Sequence, residues 1–175
     1  MKENKYYEHG YEKYSKLSAI SENILIIANV GFGFLGMLPL TFLHVPLISI
    51  IYICFITLML GFVLRKHLCT HCYYYDKWCH CGWGKLSSAM YKKDSGNLKL
   101  GNILGGVTWG ILMALPIITM IIIIFSNIAE LWFVLKFLVP FIVLSAINLF
   151  FHKQDCSYCK MRYICKLSAA KKCKK

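Results

Sequence analysis

Residues 101–125 read GNILGGVTWGILMALPIITMIIIIF and contain no charged side chain. A helix needs about 20 such residues to cross a hydrocarbon core about 30 Å thick. Three further apolar runs of similar length occupy residues 24–43, 45–64 and 131–151. The only charge within the four runs is Lys136, whose long stem can reach the headgroup layer from near the start of its run. The sequence therefore predicts an all-α, polytopic membrane protein with four transmembrane helices.

The amino-acid composition agrees with a membrane protein. Of 175 residues, 58% are hydrophobic and only 16% are charged, whereas a soluble domain has about 25% charged residues. The first 23 residues are polar and rich in tyrosine, without a short apolar stretch followed by a small-residue cleavage site. We therefore expect no cleaved signal peptide, and we expect the first apolar run to be a retained span.

The connections between the apolar runs divide the chain into two hairpins. The first hairpin turns around His44 and Pro46, and the second turns at residues 126–130. Short connections of this kind make consecutive helices antiparallel. The predicted segments are an N-terminal cytosolic or interfacial segment (1–23), a first transmembrane hairpin (24–64), a cytosolic cysteine-rich loop (65–100), a second transmembrane hairpin (101–151) and a cytosolic cysteine-rich, basic tail (152–175).

Lysine and arginine predict the orientation of the four spans. Segments 1–23, 65–100 and 152–175 hold four, seven and eight of these residues, which is 19 of the 20 in the chain. All three segments lie on one side in a four-span topology, and positively charged segments stay in the cytoplasm. We therefore predict a multi-pass plasma-membrane protein with both termini cytoplasmic. The net charge of +12 follows from this topology and from attraction to anionic lipid headgroups, so no nucleic-acid partner is expected.

The two hairpins share a pattern that indicates an internal duplication. Five residues recur at a constant offset of 77, namely Val30, Gly33, Leu35, Leu38 and Pro39, which match Val107, Gly110, Leu112, Leu115 and Pro116. Each hairpin then leads to a C-x-x-C motif, and these two motifs lie 87 residues apart. We interpret the pattern as a duplicated unit of a hairpin followed by a cysteine segment. The alternative is coincidence between apolar segments of similar composition.

Eight of the nine cysteines lie outside the apolar runs, and we predict that they bind metal. The two-residue gap of C-x-x-C lets two thiolates turn toward one ion, and in the cytosol such patterns are typical of metal or redox sites rather than disulfides. Flanking lysines, Arg162 and the histidines are expected to favour the thiolate form. Cys54, inside the second run, is interpreted as a small buried apolar residue. The predicted ligands are Cys69, Cys72, Cys79, Cys81, Cys156, Cys159, Cys165 and Cys173.

The spacing of the cysteines leaves the metal and the number of sites open. Each four-cysteine segment could bind zinc alone. The triplets C-x-x-C-x6-C and C-x-x-C-x5-C fit an iron–sulfur cluster equally well, with Cys81 or Cys173 as the fourth ligand. A third arrangement is one shared site made of the two C-x-x-C motifs. His71 and His80 are candidate additional ligands.

Near the N-terminus, Tyr7, Tyr11, Tyr14 and Leu17 recur at helical spacing, with lysine and glutamate between them. This stripe predicts a short amphipathic helix that lies on the membrane surface. The alternative for so short a segment is a disordered polar leader.

The sequence contains no recognisable catalytic triad, paired catalytic carboxylates or nucleotide-binding motif. It also lacks a carboxylate or lysine at mid-membrane, where ion pumps usually place ionisable groups. We therefore predict an integral membrane metal-binding protein with cytosolic Cys-ligated sites, used for iron–sulfur electron transfer or redox sensing beside a membrane redox or transport partner complex. The alternatives are heavy-metal handling or transport, and a membrane scaffold with structural zinc. Whether the protein is also an enzyme is left open.

Overall fold

The structure, a computed structural model, describes residues 6–170, and the regular elements it describes are helical. In chain order they are α1 (Lys16–Met37), α2 (Leu47–Leu58), a π-helical turn (Met59–Val63), α3 (Leu64–His67), a 3₁₀ turn (Cys69–His71), α4 (Trp83–Met90), α5 (Leu98–Phe125) and α6 (Leu131–Ser157). The predicted all-α architecture is thus confirmed for the described part of the chain.

Four helical stretches are long and apolar enough to cross a membrane. The shortest has 22 residues, and their mean hydropathy ranges from 1.5 to 2.7. In the second of them, α2 continues through the π-helical turn and α3 without a break in helical structure. The four stretches, which overlap the four apolar runs of the sequence, are Lys16–Met37, Leu47–His71, Leu98–Phe125 and Leu131–Ser157.

The first helix begins and ends earlier than the first apolar run. It starts at Lys16 because Ser15 caps it, with the Ser15 side-chain oxygen accepting a 3.0 Å hydrogen bond from the Ser18 amide. It ends at Met37, since Pro39 follows closely and has no backbone N–H with which to continue the helix. The polar residues just before the first apolar run are therefore helical, and the last residues of that run are not.

The connection of the first hairpin is a loop at residues 38–46 rather than the predicted tight turn. Leu43 and His44, near its tip, have positive φ values of 51° and 64°. The loop extends from the end of α1 to the start of α2 at Leu47. The second hairpin turns at residues 126–130 as predicted.

The N-terminal segment is not the predicted amphipathic helix. Residues 6–15 contain no helical residue, and Tyr11 pairs instead with Cys159 in a parallel β-bridge. The Tyr11 ring stacks on Tyr158 with ring centroids 5.1 Å apart, and the Tyr14 side chain is buried. Aromatic contacts and backbone bonds to the tail take the place of a helix here, so the helical spacing of the tyrosines led to a wrong prediction.

Helix α1 lies at the centre of the bundle, in contact with α2, α5 and α6. A Cβ added at Gly33 would lie 3.1 Å from side-chain atoms of both Phe141 and Pro116. This glycine of α1 therefore allows α5 and α6 to pack closely against α1. Between α1 and α6, the Ser145 hydroxyl donates a 3.2 Å hydrogen bond to the Asn29 side chain. By contrast, no described atom lies within 4 Å of a Cβ added at Gly110, which matches Gly33 at the offset of 77.

The outer surface of the long helices is apolar, and their polar side chains point inward. Buried polar side chains include Asn29, Thr108, Thr119 and Asn148. Exposed apolar side chains include Ile24, Ile27, Ile122, Phe125, Trp132 and Phe150. An apolar exterior around a more polar interior is the arrangement expected of a helix bundle in lipid, where polar side chains hydrogen-bond between helices.

Candidate metal centre

One end of the bundle carries a layer built from three segments, which we name the cysteine face: residues 6–15, 65–97 and 156–170. The start of α1, the end of α3, the start of α5 and the end of α6 all meet there. The N-terminal segment lies between the other two and bonds to both. The Tyr11 amide donates to the Tyr158 carbonyl at 2.8 Å, and the Tyr14 amide donates to the carbonyl of Trp78 at 2.8 Å.

Tyr74 joins all three segments of the cysteine face. Its hydroxyl donates a 2.7 Å hydrogen bond to the Tyr11 carbonyl and accepts a 3.1 Å bond from the Lys160 amide. The side chain is 1% exposed. Burial raises the pKa of the Tyr74 hydroxyl, so it stays a neutral donor. The loop and the tail are therefore held together next to their cysteines.

The two C-x-x-C motifs are closed by the same type of hydrogen bond, the first in a 3₁₀ turn and the second at the end of α6. The Cys72 amide donates to the Cys69 carbonyl at 3.2 Å, and the Cys159 amide donates to the Cys156 carbonyl at 3.3 Å. In each segment the second and third cysteine carbonyls also accept from the amide three residues later, with donors Tyr75 and Gly82 in the loop and Arg162 and Ser168 in the tail. This succession of turns gathers the thiols of each segment.

Cysteines from the loop and the tail lie close enough to influence one another electrostatically. Burial raises the pKa of the Cys72 thiol well above its usual range, and negative charge on Cys69, Cys79 or Cys159 would raise it further. Burial likewise raises the pKa of Cys159 to about 12, with Cys156 among the further causes. The two C-x-x-C motifs therefore lie on the same face. Among the described residues, however, no three of these thiols lie within 4.8 Å of one another.

The expectation that flanking cations make these cysteines thiolates is wrong for Cys72 and Cys159. Desolvation outweighs the positive charge nearby, so both thiols hold their protons at neutral pH until a metal replaces them. A metal site here would therefore bind with release of protons.

The remaining sequence-predicted cysteines have separate surroundings. Cys79 is half-buried and lies near Cys69 and Cys72. Cys81 is 8% exposed. Cys54 is exposed on the outer side of α2, so its interpretation as a buried residue is wrong; it lies on the apolar exterior. Cys165 begins one of the tail turns, and Cys173 lies outside the described residues.

The two candidate histidines differ in what their ring nitrogens contact. His71 shares a 2.9 Å hydrogen bond between its Nε2 and the Gly96 carbonyl, and its Nδ1 lies 3.1 Å from the Asp94 carboxylate. Both ring nitrogens of His71 therefore contact residues of the same loop, and neither is available to bind a metal. His80 has a buried Nε2 with no hydrogen-bond partner among the described residues. Burial lowers the pKa of His80 to about 3, so the ring is neutral.

Two ligand-type residues that the sequence reasoning missed lie beside His80. Oxygen, nitrogen and sulfur atoms of Glu22, His80 and Cys81 all lie within 4.8 Å of one another. The His152 ring packs against the His80 ring with centroids 5.5 Å apart. Glu22 and His152 each stand just outside an apolar run. Their position at the end of a span, on the same side as the cysteines, could have identified Glu22 and His152 as candidate ligands.

Comparisons with protein-family models, with curated proteins and with solved structures found no match to this chain. The functional assignment therefore depends on the chemistry of the cysteine face. Clustered thiols, a neutral imidazole and a buried carboxylate are ligands for soft and borderline metal ions. Of these groups, the thiols release protons when a metal binds.

Proposed function

We propose that the protein is an integral membrane metal-binding protein whose loop and tail cysteines hold one shared site. The observation that carries the proposal is the meeting of the two C-x-x-C motifs, which are 87 residues apart in the chain. Cys72 and Cys159 are half-buried and lie within electrostatic reach of one another. Thiols this close in a cytosolic, reducing setting are suited to a metal, because thiolates repel each other unless a cation lies between them.

The membrane orientation is part of the proposal. The long helices expose apolar side chains that only lipid or another apolar surface would cover. The positively charged segments of the chain coincide with the cysteine face, where anionic headgroups would attract them. We place this face and both termini in the cytoplasm, and the four helices in the plasma membrane, on the positive-inside rule.

A duplicated origin of the two cysteine segments is supported by their local geometry. The turns Cys69–Cys72 and Cys156–Cys159 close with nearly equal hydrogen bonds of 3.2 and 3.3 Å. The helices that precede them differ more, since Gly33 and Gly110 have different surroundings. The proposal is therefore that two related hairpin units diverged in their packing while the cysteine turns kept a common geometry.

For the use of the site we propose iron–sulfur electron transfer or redox sensing beside a membrane partner. Loop cysteines Cys69, Cys72 and Cys79, with Cys159 from the tail, would supply the four thiolates that such a cluster needs. Tyr14 and Tyr74 are buried side chains that lie near Cys159. Low exposure to solvent is one of the factors that set the reduction potential of a cluster.

The test is anaerobic purification followed by measurement of iron, acid-labile sulfide and visible absorption. We expect wild type to be coloured, and Cys72→Ser and Cys159→Ser to lose the colour and the iron, because a serine hydroxyl is a poor ligand for a soft site. Cys54→Ser is the matched control, since that thiol lies on the exterior of α2. All variants should stay in the membrane fraction, because the spans are unchanged.

Two results would decide against parts of this proposal. Wild type without thiolate-bound metal under anaerobic conditions, or cysteine variants that retain it fully, would overturn the shared site. Colourless protein with one equivalent of zinc lost in both variants would keep the shared site but replace electron transfer with a structural or metal-handling role.

A further inference from the structure

A second group of ligand atoms lies where the cysteine face meets the bundle. Glu22 comes from the second turn of α1, and His80 and Cys81 come from the loop before α4. One ligand atom from each lies within 4.8 Å of the other two. Glu22 is 5% exposed and Cys81 is 8% exposed. Three different metal-ligating side chains thus converge where little solvent reaches them.

One of these side chains has a buried polar atom without a partner. The Nε2 atom of His80 is buried and has no hydrogen-bond partner within residues 6–170. An unpaired buried imidazole nitrogen is costly and rare in folded proteins. The buried Glu22 side chain and the Cys81 thiol lie beside it. A cation bound by all three would satisfy the imidazole nitrogen.

We propose that Glu22, His80 and Cys81 form a second metal site, separate from the shared thiolate site, that binds one divalent ion of the zinc class. A carboxylate, an imidazole and a thiolate together are a typical zinc ligand set and a poor one for an iron–sulfur cluster or for calcium. Bonds of about 2.0–2.3 Å place ligand atoms of a tetrahedral zinc roughly 3.3–3.8 Å apart. A side-chain contraction of about 1 Å would therefore close the observed group around an ion.

The backbone around this site is already held in place. The Asn23 side-chain amide donates to the Cys81 carbonyl at 2.8 Å and to the Ala19 carbonyl at 2.6 Å. The Asn23 side-chain oxygen accepts a 3.2 Å bond from the Trp83 indole. Because Asn23 follows Glu22 directly and bonds to Cys81, it fixes the distance between two proposed ligands. Outer contacts of this kind are what orient the ligands of a metal.

One of the three proposed ligands, Glu22, borders a cavity. A space of about 220 Å³ between α1, α5 and α6 is lined by Glu22, His152 and apolar side chains that include Trp109 and Met113. His152 is held by Cys156, with 3.5 Å between its Nε2 and the sulfur atom. Three protein ligands and an open position beside this cavity leave room for a water molecule on the ion.

The test separates the two sites by disabling the first. Full-length Cys72→Ser/Cys159→Ser protein, stripped with chelator, is titrated anaerobically with Co²⁺ as a spectroscopic probe for zinc. We expect one equivalent to bind with tetrahedral d–d absorption and one thiolate-to-cobalt band. Glu22→Gln, His80→Gln and Cys81→Ser in this background should each weaken binding by more than the roughly 10- to 100-fold typical of a lost outer contact. His71→Gln is the control and should bind normally, because both of its nitrogens are engaged elsewhere.

The outcomes are distinguishable from those of the shared site. If the double variant binds no Co²⁺, or if Glu22→Gln and His80→Gln bind it unchanged, the second site does not exist, whatever the iron content of wild type. If the double variant cannot be purified, Co²⁺ titration of otherwise wild-type protein gives the answer. There, Glu22→Gln should lower the Co²⁺ stoichiometry by one equivalent, and an unchanged stoichiometry would overturn the proposal.

Discussion

The substitution Tyr74→Phe tests whether the loop and the tail are held together as the cysteine face requires. It removes the hydroxyl that donates to the Tyr11 carbonyl at 2.7 Å and accepts from the Lys160 amide at 3.1 Å, while the buried ring remains. Each lost hydrogen bond reduces stability by about 0.5–1.5 kcal/mol net. The free energy of separating the tail from the loop should therefore fall by about 1–3 kcal/mol.

The assay is the labelling rate of Cys159 in metal-stripped protein, read by peptide mass spectrometry. The Cys159 thiol is half-buried and becomes fully accessible when the segment opens. A loss of about 1–3 kcal/mol should therefore accelerate labelling by up to about 5- to 150-fold, at 1.4 kcal/mol per factor of ten. Burial raises the pKa of Cys159 to about 12, and the hydrogen bond with Tyr74 acts in the opposite direction. Losing that bond makes the thiol less reactive, so faster labelling cannot come from thiol chemistry.

Tyr75→Phe is the matched control for this experiment. The Tyr75 hydroxyl also donates to a backbone carbonyl at 2.7 Å, but its acceptor, Tyr91, lies in the same loop. Labelling of Cys159 should then stay within about twofold of wild type, because no contact with the tail is lost. Equal acceleration by both substitutions, or none by Tyr74→Phe, would refute the role assigned to Tyr74 in joining the segments.

Two further predictions concern the bundle and the thiols. Ser145→Ala should lower stability by about 0.6 kcal/mol, the average for a hydrogen bond between membrane helices, because the bond to Asn29 is lost. Ser49→Ala should lower stability less, since that buried hydroxyl has no partner among the described residues. Thermal unfolding in detergent that ranks the two variants in the other order would contradict this. Metal affinity of the shared site should rise at least about 1,000-fold per pH unit near neutrality if at least three protons leave. The reason is that burial raises the pKa values of Cys69, Cys72 and Cys159 and keeps these thiols protonated there. Titrations at several pH values that give one Kd would exclude it.

The sequence predicted the membrane helices because their physical requirement is simple. A span needs only enough consecutive apolar residues, and four such runs are present. Helix ends follow different rules, which hydropathy does not contain. Ser15 starts α1 in a polar region by capping it, and Pro39 limits it within the apolar run. Local hydrogen-bonding chemistry therefore moved both ends of a helix whose existence was predicted correctly.

The candidate site was predicted only where its residues share a motif. C-x-x-C is visible because both ligands are local, whereas Glu22 and His152 belong to no motif and are 130 residues apart. The tyrosine spacing led to the wrong prediction of an N-terminal helix for a related reason. Their spacing fits one face of a helix, but Tyr11 and Tyr14 pack on rings from distant segments, including Tyr74. Periodicity reports local structure, and these contacts are decided by the tertiary arrangement.

The register between α1 and α6 explains how the buried bundle positions the proposed second metal site. Inside the membrane-length region, Asn29 of α1 faces Ser145 of α6. Glu22 lies seven residues before Asn29, and His152 lies seven residues after Ser145. The two helices are antiparallel, and seven residues make about two turns. Glu22 therefore lies on the same face of α1 as Asn29, and His152 lies on the same face of α6 as Ser145. Both are at the same level along the bundle axis, beside His80. A one-residue slip of α1 would turn Glu22 by about 100° around the helix axis. The hydrogen bond between Asn29 and Ser145 is thus in register with a proposed metal ligand about 10 Å away, and the extensive packing of α1 on α6, more than this one bond, holds that register.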